Sequence, residues 1–215
     1  MITPRELLHN GAKTLGIALT VEQINSMFIY LAELKKWNQK INLTAITEER
    51  EIIIKHVLDS LSYLHGFTPA PGLRLLDMGS GAGFPALPMK IAHPGLSITM
   101  VESTKKKASF LRHIIRTLKL TETEVLDTRT NELPALLLSS FDIVTARAFA
   151  DMKSALTAGV PFLKSNGLMV LSRGPEETIN DRDLAKAGVA LEHRIALTLP
   201  HSNYQRAIWV FKKPG

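Results

Sequence analysis

Residues 75–85 read Leu75-Leu76-Asp77-Met78-Gly79-Ser80-Gly81-Ala82-Gly83-Phe84-Pro85. A short apolar run ends in an acidic residue, three alternating glycines follow, and a proline marks the start of a helix. Glycines at such a place allow a tight turn and let a ligand approach the backbone at the carboxyl end of a strand. The segment therefore predicts a cofactor-binding turn between a strand and a helix.

The sequence around this turn indicates an α/β fold, because short apolar runs alternate with helical periods. Strands are predicted at residues 73–78, 97–101, 141–146 and 168–172, with helices between them at residues 85–92, 105–118 and 152–163. Such alternation predicts right-handed crossovers and a mostly parallel, doubly wound Rossmann-like sheet. Residues 191–199 and 207–212 predict a terminal antiparallel hairpin.

The first 68 residues predict an N-terminal helical cap. Thr3 and Glu6 have the spacing of a capping box, and Thr20 and Gln23 repeat it. A third helix is predicted over residues 48–65, before the helix-breaking segment Thr68-Pro69-Ala70-Pro71-Gly72. We therefore expect a helical subdomain of residues 1–68 and an α/β core of residues 69–215.

Composition limits the functional classes. The 215 residues are 45% hydrophobic and 21% charged, which is typical of a globular protein. The absence of cysteine excludes disulfides, thiolate chemistry and Cys-based zinc sites, and no metal site is predicted. Without a signal-peptide pattern or an apolar stretch of about 20 residues, we expect a cytoplasmic protein and no membrane partner. The net charge of +6 favours a polyanionic partner, although solubility alone also explains it.

Two cofactor classes use a glycine turn of this kind. A dinucleotide fingerprint would place its third glycine at position 84, where Phe84 stands and where its bulk would hinder a pyrophosphate. S-adenosylmethionine carries no phosphate: Asp77 is placed to accept from its ammonium, and backbone amides near Gly81 and Gly83 suit its carboxylate. Glu102, 25 residues after Asp77, can bind the ribose hydroxyls of either cofactor. The turn favours S-adenosylmethionine; the alternative is that both acids merely cap turns.

The segment from Asp77 to Pro85 resembles the cofactor motif of the bacterial glucose-inhibited division protein B family. Members of that family are guanine-N7 methyltransferases of small-subunit ribosomal RNA. The resemblance extends over residues 37–150 and also includes Trp37-Asn38, Asn42-Leu43-Thr44-Ala45-Ile46, His56-Val57-Leu58-Asp59-Ser60-Leu61, Val101-Glu102-Ser103, Lys105-Lys106-Lys107-Ala108-Ser109-Phe110-Leu111 and Phe141-Asp142-Ile143-Val144-Thr145-Ala146-Arg147-Ala148.

The resemblance implies a class I methyltransferase fold, S-adenosylmethionine as cofactor, and 16S ribosomal RNA or the small ribosomal subunit as partner. It also implies that Gly79 and Phe84 line the cofactor pocket and that the pair Thr130-Asn131 holds the adenine end. Arg147 would lie at the rim of the reaction site. We expect this arginine to grip a phosphate, the base O6 or the cofactor carboxylate, unless it forms only an end-of-strand salt bridge.

Three positions depart from the family pattern. Asn131 replaces a frequent carboxylate but still offers adenine an acceptor and a donor. Ala86 stands where glycine is frequent. Arg173, followed by Gly174, replaces a lysine; it keeps the positive charge with a different geometry, and we expect it to contact RNA.

The expected reaction does not require a side chain that acts as a general base. Guanine N7 has an in-plane lone pair and no proton, so the main task is to align the reacting atoms. His56 and Asp59, three residues apart on a predicted helix, are interpreted as a structural pair where the helical cap meets the core.

Positive charge begins the helix that follows Glu102. Because cations at a helix N-terminus oppose its dipole, we expect Lys105, Lys106 and Lys107 to contact the RNA backbone. Lys35, Lys36 and Lys40 add charge in the N-terminal region.

Three other functions stay open at this point. A nicotinamide-dependent oxidoreductase would bind NAD(H), and a non-catalytic RNA-binding module would bind RNA without a cofactor. A methyltransferase acting on another RNA, a protein or a small molecule would share the whole cofactor site. We expect the enzyme to act as a monomer.

Overall fold

A seven-stranded sheet organises the computed structural model, which describes residues 2–147, 149 and 151–215. Ala148, the last residue of the family motif quoted above, lies outside the described residues. The strands are β1 (Arg74–Met78), β2 (Ser97–Val101), β3 (Thr123–Leu126), β4 (Phe141–Ala146), β5 (Leu163–Arg173), β6 (Ala190–Thr198) and β7 (Gln205–Lys212). Their order is β3-β2-β1-β4-β5-β7-β6, with β7 antiparallel to β5 and β6, and the other pairs parallel.

The strand order reverses at β1. The chain runs outward through β2 and β3, then returns to place β4 on the other side of β1. Asp77 pairs in register with Met100 on β2 and with Thr145 on β4. Ligands of doubly wound sheets bind at such a switch point, outside the carboxyl ends of the strands. The predicted glycine turn therefore leaves β1 at the position where this fold binds its ligands.

Four helices cover the sheet: α5 (Ala86–Ala92), α6 (Lys105–Thr117), α7 (Met152–Gly159) and α8 (Asp181–Ala187). The predicted strands, the terminal hairpin and the first three of these helices are confirmed, with β5 beginning five residues earlier than predicted. The strand β3 and the helix α8 were not predicted from the sequence. The strand β3 has four residues, of which none is fully buried, so it lacks the apolar run that marks its neighbours.

The N-terminal region is helical as predicted. Both α1 (Pro4–Thr14) and α2 (Val21–Asn38) begin with a complete capping box. Residues 49–66 form one helical segment, in which a π-helical turn at Ile53–Leu58 separates α3 (Glu49–Ile52) from α4 (Asp59–Ser62). Such π turns are frequent at functional sites, and this one contains His56.

The helical cap packs onto one face of the sheet. A single hydrophobic cluster includes Leu8 and Met27 from the cap together with Leu75 and Val210 from the sheet. A Cβ on Gly66 would lie 2.6 Å from Val170 of β5, so the cap approaches the sheet closely. A second cluster fills the opposite face beneath α7 and α8. Among the described residues, no helix combines the length and the apolar character needed to cross a bilayer.

Candidate functional site

The turn after β1 is built on three glycines in the left-handed region. Gly79, Gly81 and Gly83 have φ angles of +69°, +57° and +96°. A Cβ at Gly83 would collide with the Leu87 side chain, so this glycine is required for packing. At Gly79 a Cβ would meet no atom within 4 Å, so this side of the turn is open to a ligand.

Asp77 is completely buried at the end of β1. Its Oδ1 accepts a hydrogen bond from the Thr145 hydroxyl at 3.1 Å, whereas Oδ2 has no partner. Burial raises the pKa of this carboxyl to about 6, against the opposing influence of Ser80, Thr145 and Arg147. A buried acceptor without a donor is costly. The second oxygen therefore has an unused acceptor at the end of β1, where ligands of this fold bind.

Glu102 lies next to this turn, at the end of β2. Its Oε2 accepts from the Gly81 amide at 2.8 Å, and its Oε1 accepts from the Thr104 amide at 2.8 Å. These bonds fix the carboxylate between the glycine turn and the start of α6 and leave each oxygen a further lone pair. Glu102 thus caps both turns and still presents acceptors at the ligand-binding edge.

The expected donors for the cofactor carboxylate are not free in this structure. The Gly81 amide donates to Glu102, and the Gly83 amide donates to the Ser80 carbonyl at 2.7 Å. The turn therefore uses these two amides to hold its own shape, and binding of the cofactor carboxylate by amides near Gly81 and Gly83 stays a prediction.

The ring of Phe84 points into the core. It is 2% exposed and packs against Tyr30 and His56, with ring centroids 5.3 and 4.7 Å away. The Tyr30 hydroxyl donates to the Ala82 carbonyl at 2.6 Å and ties the turn to α2. Because the ring is buried, its bulk does not obstruct a pyrophosphate, and the argument against a dinucleotide from that bulk is wrong. For the same reason its ring offers no open face to a cofactor.

The pair Thr130-Asn131 lies in a short 3-10 turn after β3. It lines a cavity of about 340 Å³ together with apolar residues of the same loop and residues from the end of α7 and the segment that follows it. Among the described residues, neither the glycines of the turn nor Asp77 and Glu102 line this cavity. The structure therefore brings Asp77 and Glu102 together, whereas Thr130-Asn131 lines a separate cavity.

Asp127 is a candidate that the sequence analysis missed. It directly follows β3, whose Leu126 carbonyl accepts from the Glu102 amide, so it lies level with Glu102 at the ligand-binding edge. Its carboxylate is 3.8 Å from Arg112. The available signal was an acid directly after a short strand, as with Glu102 after β2, but the polar residues of β3 made that strand hard to recognise.

Arg147 directly follows β4 and faces the helical cap. Its Nη1 lies 3.2 Å from His56 Nδ1 and 3.9 Å from Asp59 Oδ2. Because a guanidinium only donates, Nδ1 accepts and the histidine proton lies on Nε2, which donates to the Thr44 hydroxyl at 2.7 Å. Burial and then Arg147 lower the pKa of His56 to about 4, so this imidazole is neutral at physiological pH.

The predicted pair of His56 and Asp59 is found where the cap meets the core, but the two are not bonded to each other. Each faces Arg147 instead. The buried Asp59 also accepts from the Ser172 hydroxyl at 3.2 Å and from Arg206 Nε at 3.1 Å. The helical segment 49–66 therefore fixes the position of Arg147 at the end of β4.

A cavity of about 420 Å³, the basic cleft, opens beside Arg147. It lies between the helical segment 49–66 and the ends of β4 and β5. Its charged lining comprises four cations and two carboxylates: Lys55, Arg147, Arg173, Arg206, Asp59 and Glu177. Arg173, the predicted RNA contact, ends β5, whereas the sequence analysis did not single out Lys55 and Arg206.

The three predicted RNA-binding lysines begin α6. Lys105 and Lys106 are exposed, and Lys107 is half-buried. Lys106 and Lys107 line a cavity of about 390 Å³ with Lys40 and Asn42, so the structure brings charge from two distant segments together. Lys35 and Lys36 differ, because they pair with Glu49 and Glu33.

Solved structures share this fold. The [4+2]-cyclase SpnF superposes with a TM-score of 0.62 at 15% identity, covering 91% of this chain and 97% of that one. The precorrin-6y C5,15-methyltransferase of Geobacter metallireducens GS-15 gives 0.53 at 16% identity, covering 73% and 87%. These similarities confirm the predicted class I methyltransferase fold.

Sequence comparisons are more specific. The Ribosomal RNA small subunit methyltransferase G of Geobacter sp. (strain M21) is 41% identical over 96% of this chain and 96% of its own length. The protein of the same name from Geobacter metallireducens is 39% identical over 96% and 94%. The family profile described as rRNA small subunit methyltransferase G matches residues 23–208. The chain therefore belongs to the rRNA small subunit methyltransferase G family.

Proposed function

We propose that this protein transfers the methyl group of S-adenosylmethionine to N7 of a guanine in 16S ribosomal RNA. Family membership supports the RNA substrate, and the resemblance described above supports the N7 position. The observation that carries the cofactor assignment is the buried, unpartnered Oδ2 of Asp77 beside the open face of Gly79. The net charge of +6 agrees with a polyanionic substrate. The proposal includes action as a single chain in the cytoplasm.

The residues at the sheet edge fit the parts of S-adenosylmethionine. Asp77 offers an acceptor to the ammonium, and the remaining lone pairs of Glu102 suit the ribose hydroxyls. Asp127 and the Thr130-Asn131 turn follow the next strand and offer acceptors to the adenine amino group. When bound, the cofactor supplies an electrophilic methyl group on a sulfonium.

The side chains around Arg147 orient the substrate. Guanine N7 carries a free lone pair, so no residue has to remove a proton, and alignment is the protein's main contribution. The base gains positive charge as it is methylated. His56 is neutral and adds no positive charge beside the base, and the carboxylate of Asp59 offsets the charge of Arg147. His56 and Asp59 therefore hold this arginine in place without a large excess of positive charge near the base.

The test is transfer of labelled methyl groups to small ribosomal subunits that lack the modification. We expect label in 16S RNA alone, at one guanine that becomes cleavable by reduction and aniline, a reaction specific for N7-methylguanine. Asp77→Asn should abolish the label, whereas Asp181→Asn, at the exposed start of α8, should leave it unchanged. Label on protein or small molecules, or at another atom of the RNA, would refute the proposal.

A further inference from the structure

Arg173 has an unsatisfied edge inside the protein. The residue is only 8% exposed, and its Nη1 donates to the Phe149 carbonyl at 2.9 Å. Its Nε and Nη2 are buried and make no hydrogen bond. These two nitrogens lie on the same edge of the planar guanidinium, so one complete two-donor edge has no acceptor.

The charged residues nearby do not satisfy this edge. Glu177 Oε2 lies 3.8 Å from Nε, beyond hydrogen-bonding distance, and its Oε1 accepts from the Met152 amide. Asp59 is held by Ser172 and Arg206. Buried donors of a cation are costly when unpaired, and a two-donor guanidinium edge matches the paired oxygens of a carboxylate or a phosphate. The basic cleft, which Arg173 lines, is therefore matched to an anion from outside the chain.

We infer that the basic cleft binds a backbone phosphate of the RNA next to the target guanine, through the Nε–Nη2 edge of Arg173. The inference rests on the proposed function and extends it. Lys55 of the helical segment and Arg206 of β7 line the same cleft and add positive charge from both sides. A cavity of about 420 Å³ lies within the range of small-ligand sites.

Two other occupants fit less well. Arginine also binds guanine through O6 and N7, but that contact would cover the atom that must accept the methyl group. The amino-acid end of the cofactor is expected near Asp77 on β1 and Gly79 in the turn after it, and β5 is two strands away from β1, about 10 Å at the usual strand spacing. An RNA phosphate in the basic cleft leaves guanine N7 free and does not require the cofactor to reach β5.

Two variants of Arg173 separate charge from geometry. Arg173→Gln removes the charge, and Arg173→Lys keeps it but loses the two-donor edge. Arg116→Gln, in the exposed last turn of α6, is the control for net charge. We would measure the Kd of each enzyme for undermodified small subunits at several KCl concentrations, with S-adenosylhomocysteine present, and the Kd for S-adenosylhomocysteine alone.

We expect Arg173→Gln to raise the Kd for subunits about ten- to hundredfold and to reduce the slope of log Kd against log salt by about 0.7 to 0.9. Arg173→Lys should raise the Kd about tenfold and keep the slope. Arg116→Gln should change neither, and the Kd for S-adenosylhomocysteine should stay within about twofold throughout. Thermal unfolding shows whether each variant is folded. If Arg173→Gln is unfolded, the test uses the Kd of Arg173→Lys alone.

Three results would overturn the inference. Unchanged subunit binding and salt slope would show that Arg173 is structural, and equal effects of Arg116→Gln would show a general charge effect. Weaker binding of S-adenosylhomocysteine with unchanged subunit affinity would assign the edge to the cofactor. Failure of the proposed function would give a different result: the wild-type enzyme would bind subunits but leave them unmethylated. The Kd values of the Arg173 variants would still show whether the basic cleft binds RNA.

Discussion

Asp77 is ionised at physiological pH in a position where burial favours its protonated form. Its pKa of about 6 lies above the ordinary value of 3.8, and Oδ2 lacks a donor. A buried carboxylate in this state destabilises the ligand-free protein. Residues that lower stability in this way are typical of binding sites, where the ligand supplies the missing partner.

Replacing Asp77 with asparagine should therefore improve stability and remove function. The native state of the wild type holds more protons than the unfolded state between about pH 4 and pH 6, so its stability falls as the pH rises through that range. The difference in unfolding free energy between Asp77→Asn and the wild type should grow by about 3 kcal/mol from pH 4 to pH 8. Urea unfolding at four pH values measures it, and a constant difference would contradict the assignment.

His56 should produce the opposite dependence. Its pKa of about 4 lies below the ordinary 6.5, so the native state binds fewer protons than the unfolded state between these values. The wild type should lose about 3 kcal/mol from this group as the pH falls from 6.5 to 4, and His56→Gln should remove that loss. The same urea series tests it. Equal acid sensitivity of both proteins would show that the imidazole is not buried as a neutral group.

At the scale of the element, two glycines of one turn should respond differently to alanine. Gly79→Ala places a methyl group in open space, so only the left-handed φ costs stability, about 1 kcal/mol. The methyl group would fill the face proposed for the cofactor, so binding of S-adenosylhomocysteine should weaken by at least about tenfold. Gly83→Ala adds a collision with Leu87 and should destabilise by about 3 kcal/mol. Calorimetry and thermal unfolding distinguish them, and equal effects on stability would contradict the geometry.

The sequence predicted the elements that carry strong local signals. The strands before Asp77 and Glu102 are buried apolar runs, so both acids could be placed at the sheet edge in advance. The weakly apolar β3 gave no such signal, and Asp127 was missed with it. The neighbours of Phe84 could not be predicted either, because Tyr30 and His56 reach its ring from separate helices. Contacts between distant segments leave no local pattern.

The basic cleft shows the same limit at the scale of the whole molecule. Lys55, Arg147, Arg173 and Arg206 come from four elements that are far apart in sequence, and each alone resembles a surface charge. Only the packing of the helical cap on the sheet brings them together. The cap therefore supplies part of the proposed substrate site as well as part of the core.

Removal of the cap should consequently unfold the protein. A chain of residues 69–215 would expose the sheet face and helix residues that now share the hydrophobic cluster with Leu8, Met27 and Leu31. We expect this chain to lack a cooperative thermal transition and to aggregate, because an apolar face of that size requires a partner. A cooperative transition with retained binding of S-adenosylhomocysteine would show that residues 69–215 fold independently.

The most direct measurement is a crystal structure of the enzyme soaked with S-adenosylhomocysteine. The ligand ammonium should lie about 3 Å from Asp77 Oδ2, with the ribose hydroxyls on Glu102 and the backbone of Gly79 against the ligand. Density for the ligand at another place, with Asp77 still bonded only to Thr145, would contradict the cofactor site on which the proposed function depends.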